Sequence, residues 1–452
     1  MSTLLIKDAS YIVTMDESQP LLRDASIFIR DGQIEAIGEG LWTQADEVVA
    51  AKGRIVYPGL VNTHHHLYQV LTRNLPRVQR MELFDWLKIL YRLWRGIDGE
   101  MVYTAAQVGL GELVRYGCTT SADHHYVFPP GQGDLIDRQI EAAQTLGIRF
   151  HATRGGMSLG ESAGGLPPDD LVQSSAVILK DSQRLIETYH DPAPLAMTRV
   201  ALAPCSPFSV TADLLRESAA LARAYGVRLH THLAETKDEE RFCLATTGRR
   251  PLDYMEEVGW LGEDVWYAHG IYLNDDELQR MAFTGTGVAH CPVSNMKLSS
   301  GVVRLPKMLK QGVPVGLAVD GSASNDGSDL LAEIRTAYLL HRLQYGGEAP
   351  TAEEILALAT RGSARLLGRD DIGVLAIGKA GDLFIVSTDR LEMAGTLEDP
   401  VTIPAVVGIN RPVDMTVVNG RVIYRDGVFA AMDEQGVARR AEKMAHRLLR
   451  QI

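Results

Sequence analysis

The chain lacks the features that mark several large classes of protein. It has four cysteines in 452 residues. Cys118, Cys205, Cys243 and Cys291 lie far apart and form no CxxC pair. That excludes a structural zinc knuckle and fits free thiols in a reducing cytoplasm. Positive charge is also short: 45 Lys and Arg stand against 57 Asp and Glu, a net charge of −12. Nucleic acid and anionic membrane surfaces are therefore not expected partners. No uninterrupted apolar run is long enough to span a bilayer. Residues Met1 to Asp8 are too short and too soon charged to read as a signal peptide. A Gly-rich phosphate turn is missing after the first long apolar run, which argues against a doubly wound nucleotide-binding sheet. Histidines stand there instead.

What is present reads as a large soluble enzyme. The hydrophobic fraction is 46%, ordinary for a globular chain, and the length suits one large domain with a smaller companion. Both ends carry short strands and turns. Near the start, 11–15 and 25–30 are strand-like, and Asp31-Gly32 signals a hairpin into 33–37. Near the other end, 382–386 is a strand and Asn419-Gly420 centres a second hairpin. Neither piece buries a core alone, so the two are expected to pair into one small β-sandwich domain, spanning 1–57 and 372–452, with a terminal helix over 436–451.

Between them, apolar strand-like runs alternate with helical patterns. The runs are 55–61, 118–124, 148–153, 199–203, 227–232, 265–269, 286–290 and 313–319. Helical periodicity separates them, as at 101–116, 136–146, 212–225 and 275–283. Eight such alternations predict an α/β fold, a parallel (β/α)8 TIM-like barrel over 58–371, with its active site at the C-terminal ends of the strands. Two connections, 67–99 and 154–174, are too long for simple loops and would wall or cover a pocket at that end.

Chemistry-bearing residues recur at those strand ends. The first run leads to His64-His65-His66; alternation along a strand puts His64 and His66 on one face and His65 on the other. The fifth reads His230-Thr231-His232-Leu233-Ala234-Glu235. The sixth ends at His269, and the eighth at Asp320. One histidine in a strand is ordinarily a satisfied core residue. Several histidines and a carboxylate converging on one barrel mouth suit a divalent cation with a position open for water, and zinc or iron both accept nitrogen and oxygen ligands.

These motifs resemble the amidohydrolase superfamily. Pro58-Gly59-Leu60-Val61-Asn62-Thr63-His64-His65-His66 is similar to its first-strand motif, His230-Thr231-His232-Leu233-Ala234-Glu235 to its HxHxxE strand, and Ala268-His269-Gly270 and Val319-Asp320-Gly321 to the next two. The resemblance covers nearly the whole chain, including the split β-domain. It implies metal ligands His64, His66, His232 and Asp320, with Glu235 as proton shuttle, His269 orienting the water or leaving group, and Asp320 accepting a proton. It leaves His230 as a supporting or core residue. The fourth run has no lysine to carry a bridging carbamate, so one cation per chain is expected, zinc ahead of iron. Cys205, near that strand's end, reads as a packing residue.

Within the superfamily, Cys118 to Pro129 and Arg154 to Glu161 resemble the 8-oxoguanine deaminases, and Leu83-Phe84-Asp85-Trp86-Leu87 is shared with triazine hydrolases and adenosine-type deaminases. Asp85 stands where nucleoside deaminases carry Glu. The resemblance therefore implies hydrolytic deamination of an aminated heteroaromatic base, 8-oxoguanine to urate and ammonia, with guanine or pterin deamination, triazine hydrolysis or a catalytically silent relative as alternatives. Gln69, Arg154, His124 and Tyr126 are the expected hydrogen-bonding contacts to such a ring, and Trp94, in the series Phe84, Trp86, Tyr91 and Trp94, a flat surface for it. The expected partners are this small molecule and other copies of the chain.

Overall fold

The computed structural model describes residues 2–41 and 43–450. Met1, Trp42, Gln451 and Ile452, the outermost residues of the expected β-domain and its helix among them, lie outside the described residues. The central unit is a ring of eight parallel strands: Leu60–Asn62, Cys118–Ala122, Arg149–Gly156, Thr198–Pro204, Leu229–Leu233, Val265–His269, Gly287–His290 and Val315–Leu317, in sequence order around the barrel. The last strand meets the first through Thr63, whose N–H and Oγ1 both reach the Leu317 carbonyl, at 3.3 and 3.0 Å. Just beyond, His65–His66 pairs in parallel with Asp320–Gly321. The seam of the barrel thus closes between the first and last of the expected metal-binding segments.

The second unit is a nine-stranded sheet built from both chain ends. Thr3–Val13 pairs with Leu21–Arg30, Glu47–Ala50 and Arg54–Pro58. Arg54–Pro58 pairs in turn with Leu383–Ser387, which leads to Met415–Val418, Arg421–Arg425 and Val428–Phe429. Leu4, Ile6, Ile27, Ile29, Leu383, Ile385 and Val417 share one apolar core that neither end could build by itself. The C-terminal helix, Glu434–Leu449, leaves this sheet and packs on the barrel helix Gly99–Arg115.

One expected strand is divided. The apolar run 55–61 is two strands in two sheets, separated at Gly59. Pro58 has no N–H to continue a ladder, and a Cβ at Gly59 would lie 2.1 Å from Thr119 Oγ1, so only glycine lets the chain cross there. The alternation of the histidines survives the break, because the backbone re-enters extended pairing at His65–His66.

Candidate active site and metal centre

Seven of the residues singled out from the sequence meet at the C-terminal mouth. His64 and His66 are buried, with ring centroids 4.6 Å apart. His232 Nε2 lies 3.1 Å from His66 Nε2, and Asp320 Oδ1 lies 3.2 Å from His64 Nε2 and 3.3 Å from His66 Nε2. His269 and Glu235 stand beside them, 3.4 Å apart, and Gln69 lines the same cavity.

The other nitrogen of each ring fixes its tautomer. His66 Nδ1 donates to the His124 carbonyl and His232 Nδ1 to the Cys205 carbonyl, each at 2.6 Å. A carbonyl only accepts, so both protons sit on Nδ1 and both Nε2 atoms carry lone pairs. For His64 the inference runs through a second ring. His230 Nδ1 donates to the Trp266 carbonyl at 2.8 Å, leaving His230 Nε2 as acceptor for His64 Nδ1 at 2.7 Å. His64 Nε2 is then a bare lone pair, buried and without a hydrogen-bond partner. Three lone pairs and a carboxylate oxygen facing one another repel unless a cation sits among them, and a backbone- or side-chain-anchored far nitrogen is how ligating histidines are held. The residues fit a divalent metal ion.

The electrostatics follow from burial. It holds the His64 and His232 imidazoles well below their usual pKa, hence neutral. Burial would raise the Asp320 carboxyl, but its close histidine neighbours, His269 among them with its charged form favoured, outweigh it and hold the carboxyl well below the ordinary range. Its second oxygen accepts from Ser294 Oγ at 2.5 Å and Ser324 Oγ at 3.2 Å. Burial raises the Glu235 carboxyl. His269 is raised as well, since Glu235 and Asp320 overcome the cost of burying its charge. Three residues at these strand ends, Ala234, His269 and Asp320, have left-handed backbones, with φ of 53°, 74° and 61°. Such conformations cost energy for non-glycine residues and concentrate at functional sites.

A cavity of about 390 Å³, mouth included, opens over this cluster. Its walls are Leu83, Trp86, Leu87 and Tyr91 from the helix Leu83–Trp94, with Phe208 and Leu298 from other loops. The long connection 67–99 thus supplies a wall. The connection 154–174 contributes nothing to the lining.

Among the expected substrate contacts, Gln69 and Tyr126 line the cavity and three do not. Arg154 is turned away: its guanidinium lies over the Phe128 ring at 3.7 Å, with Nε on Asp181 at 2.6 Å and Nη2 on Gln173 at 2.9 Å. Trp94 is fully buried behind the wall, packed on Tyr68, Trp86 and Tyr91, with its N–H on Thr72 Oγ1. His124 is buried beside this cluster, stacked on His232 at 4.6 Å, with Nε2 on the Ala203 carbonyl. It belongs to a wider ring with His64, His66 and His232. His65 points away, to Ser328 Oγ at 3.0 Å.

The sequence reading passed over several residues. Asn295 Oδ1 receives His269 Nδ1 at 2.9 Å, and Ser300 Oγ donates to Glu235 Oε1 at 3.2 Å. With Ser294, these follow the seventh barrel strand, whose end reads His290-Cys291-Pro292-Val293-Ser294-Asn295. Their signal in the sequence is the same as for the histidines: polar side chains just past a barrel strand end. Cys205 is a cavity wall as well as the carbonyl that anchors His232.

Known proteins resemble this chain in sequence and fold. The amidohydrolase family matches residues 55–423. The chain is 47% identical over 428 residues to the 8-oxoguanine deaminase of Pseudomonas aeruginosa, covering 94% of each. It is 41% identical over 465 residues to the hydroxydechloroatrazine ethylaminohydrolase of Pseudomonas sp. (strain ADP), covering 99% of this chain and 96% of that one. An atrazine chlorohydrolase from Arthrobacter aurescens, solved in complex with zinc, superposes with a TM-score of 0.94 at 33% identity, over 98% of this chain and 100% of that one. The match over most of the chain, with relatives this similar along nearly their whole length, shows that the chain belongs to the amidohydrolase family.

Proposed function

We propose that the protein deaminates an aminated heteroaromatic base by hydrolysis, converting 8-oxoguanine to urate and ammonia, with one zinc ion per chain held by His64, His66, His232 and Asp320. The observation that carries this reading is the pairing of a cation-ready cluster with two proton-carrying groups, Glu235 and His269, at the floor of a cavity with apolar and aromatic walls. A divalent cation bound there supplies Lewis acidity and a water activated near neutral pH.

The chain's own residues perform the rest. Water adds to the ring carbon bearing the amino group, giving one proton to Asp320, whose other oxygen is occupied by Ser294 and Ser324. Glu235, favoured in its protonated form by burial, protonates the neighbouring ring nitrogen and so makes that carbon more electrophilic. The exocyclic C–N bond then breaks as the proton held by Asp320 passes to the departing nitrogen and the proton of the new hydroxyl returns to Glu235, so that ammonia leaves, a ring carbonyl remains and both carboxyl groups are restored. His269, held by Asn295, orients the attacking water or the leaving group. Leu83, Leu87, Phe208 and Leu298 exclude water from the ring, while Gln69 and Tyr126 present polar groups to its edge. The four cysteines are free and buried, in keeping with a reducing cytoplasm.

The test is ammonia release from a panel of 8-oxoguanine, guanine, pterins and aminotriazines, before and after chelation. Chelator-sensitive release led by 8-oxoguanine is the expected result. Turnover of triazines without any aminopurine would move the assignment to the triazine branch, and no release from any of them would overturn it.

A further inference from the structure

We infer that Glu239 is a positioning residue for Glu235, its carboxylate holding the backbone of the proton shuttle at the cavity floor. Its side chain is fully buried, at 0% exposure, yet it neither ligates the cluster nor lines the cavity. Oε1 accepts the N–H of Ala234 at 2.8 Å, and Oε2 accepts the N–H of Glu235 itself at 3.0 Å.

Comparison within the molecule shows how unusual this is. Glu239 is the third residue of the helix Lys237–Thr247, whose cap Thr236 accepts the Glu239 N–H. In the helices Asp275–Thr284 and Ala352–Ala357 the glutamate at the same position folds back onto the N–H of the capping residue, the ordinary reciprocal cap. Glu239 reaches past its cap to the two residues before it. Those two need outside support: the fifth barrel strand has ended at Leu233, and Ala234 is left-handed at φ 53°. Among the described residues one other backbone bond pins Ala234, from Tyr272 N–H to its carbonyl at 2.9 Å. The bidentate carboxylate thus does for the shuttle what strand pairing does for His232.

A carboxylate is required because both partners are donors. In Glu239→Gln the amide NH2 faces an N–H, so one bond is lost and the Glu235 backbone is pushed from its place. Displacements on the order of 1 Å at a reacting group cost roughly 100-fold in rate.

The inference rests on Glu235 being the shuttle, and the experiment separates the two. In the metal-loaded full chain, kcat and KM for the best substrate of the panel, bound metal and Tm are measured for Glu239→Gln, Glu235→Gln, the double variant, and Glu354→Gln as a cap-only control. Glu239→Gln is expected to lose kcat on the order of 100-fold with KM and metal content near wild type. It should add no further loss in the Glu235→Gln background, and Glu354→Gln should leave kcat unchanged. Full kcat in Glu239→Gln, or a loss that multiplies fully with that of Glu235→Gln, overturns the positioning role. Full activity in Glu235→Gln overturns the shuttle reading instead. If Glu239→Gln does not fold, Glu239→Asp keeps the charge but is too short to reach both N–H groups, and the same loss of kcat is expected of it.

Discussion

The two ends of the barrel bury charge in opposite ways. At the N-terminal end Arg149 meets Asp382 with Nε at 2.6 Å and Nη2 at 3.1 Å, and Arg369 grips Asp371 with both nitrogens at 2.6 and 2.7 Å. Each charge has its complement, and the first pair joins the barrel to the sheet of the chain ends. At the C-terminal end the three histidine Nε2 atoms and the Asp320 oxygen converge without a complement of their own, and Asp320 itself and nearby Ala234 and His269 have left-handed backbones. One end is satisfied by the chain; the other is complete only with a cation and a substrate. That division of stability and function is the ordinary economy of a parallel barrel.

Mutations at the two ends should therefore fail differently. The largest effect expected is at the mouth. Glu235→Gln should lower ammonia release by roughly 10²- to 10⁴-fold, the usual contribution of a positioned acid–base group, while metal analysis and the melting curve stay near wild type. Next comes the opposite end. Asp382→Asn leaves Arg149 buried without its counter-charge and should cost about 3–5 kcal/mol of stability, read by denaturant unfolding, with metal stoichiometry and KM of the folded fraction unchanged. If it altered KM instead, the division between the ends would not hold. A smaller effect is expected of His230→Ala, which removes the acceptor that sets the His64 tautomer; metal affinity should fall about 10- to 100-fold, measured by competition with a chelator. The smallest is His65→Ala. That ring faces Ser328, so the protein should keep its ion, and loss of metal there would place His65 among the ligands.

The difference between the ends also explains what could be read from the sequence. His64, His66, His232, His269 and Asp320 were legible because each sits at a strand end, where alternation and barrel topology together dictate direction. Gln69 and Tyr126 lie just past strand ends, Gln69 in the short helix Leu67–Thr72 and Tyr126 four residues beyond Cys118–Ala122, so nearness to the mouth and not alternation pointed to them. Arg154 obeyed the rule in position and not in direction: a long side chain two residues before the strand's end found Asp181 and Phe128 before it found the cavity. Trp94 lies on the helix Leu83–Trp94 beside the true wall residues, and which face of that helix meets the cavity depends on how it docks, which periodicity does not encode. Phe208 and Leu298 come from distant loops with no local signature. The run 55–61 looked like one strand because hydrophobicity is continuous across Pro58-Gly59; the break is set by Thr119, a contact partner 60 residues away.

The central claim, one cation among four side chains driving deamination, is tested most directly by titrating metal-free protein with zinc while following ammonia release from 8-oxoguanine. Activity rising in proportion to bound zinc and levelling at about one equivalent per chain is the predicted result. A plateau at two equivalents, or full activity with no metal bound, would contradict it.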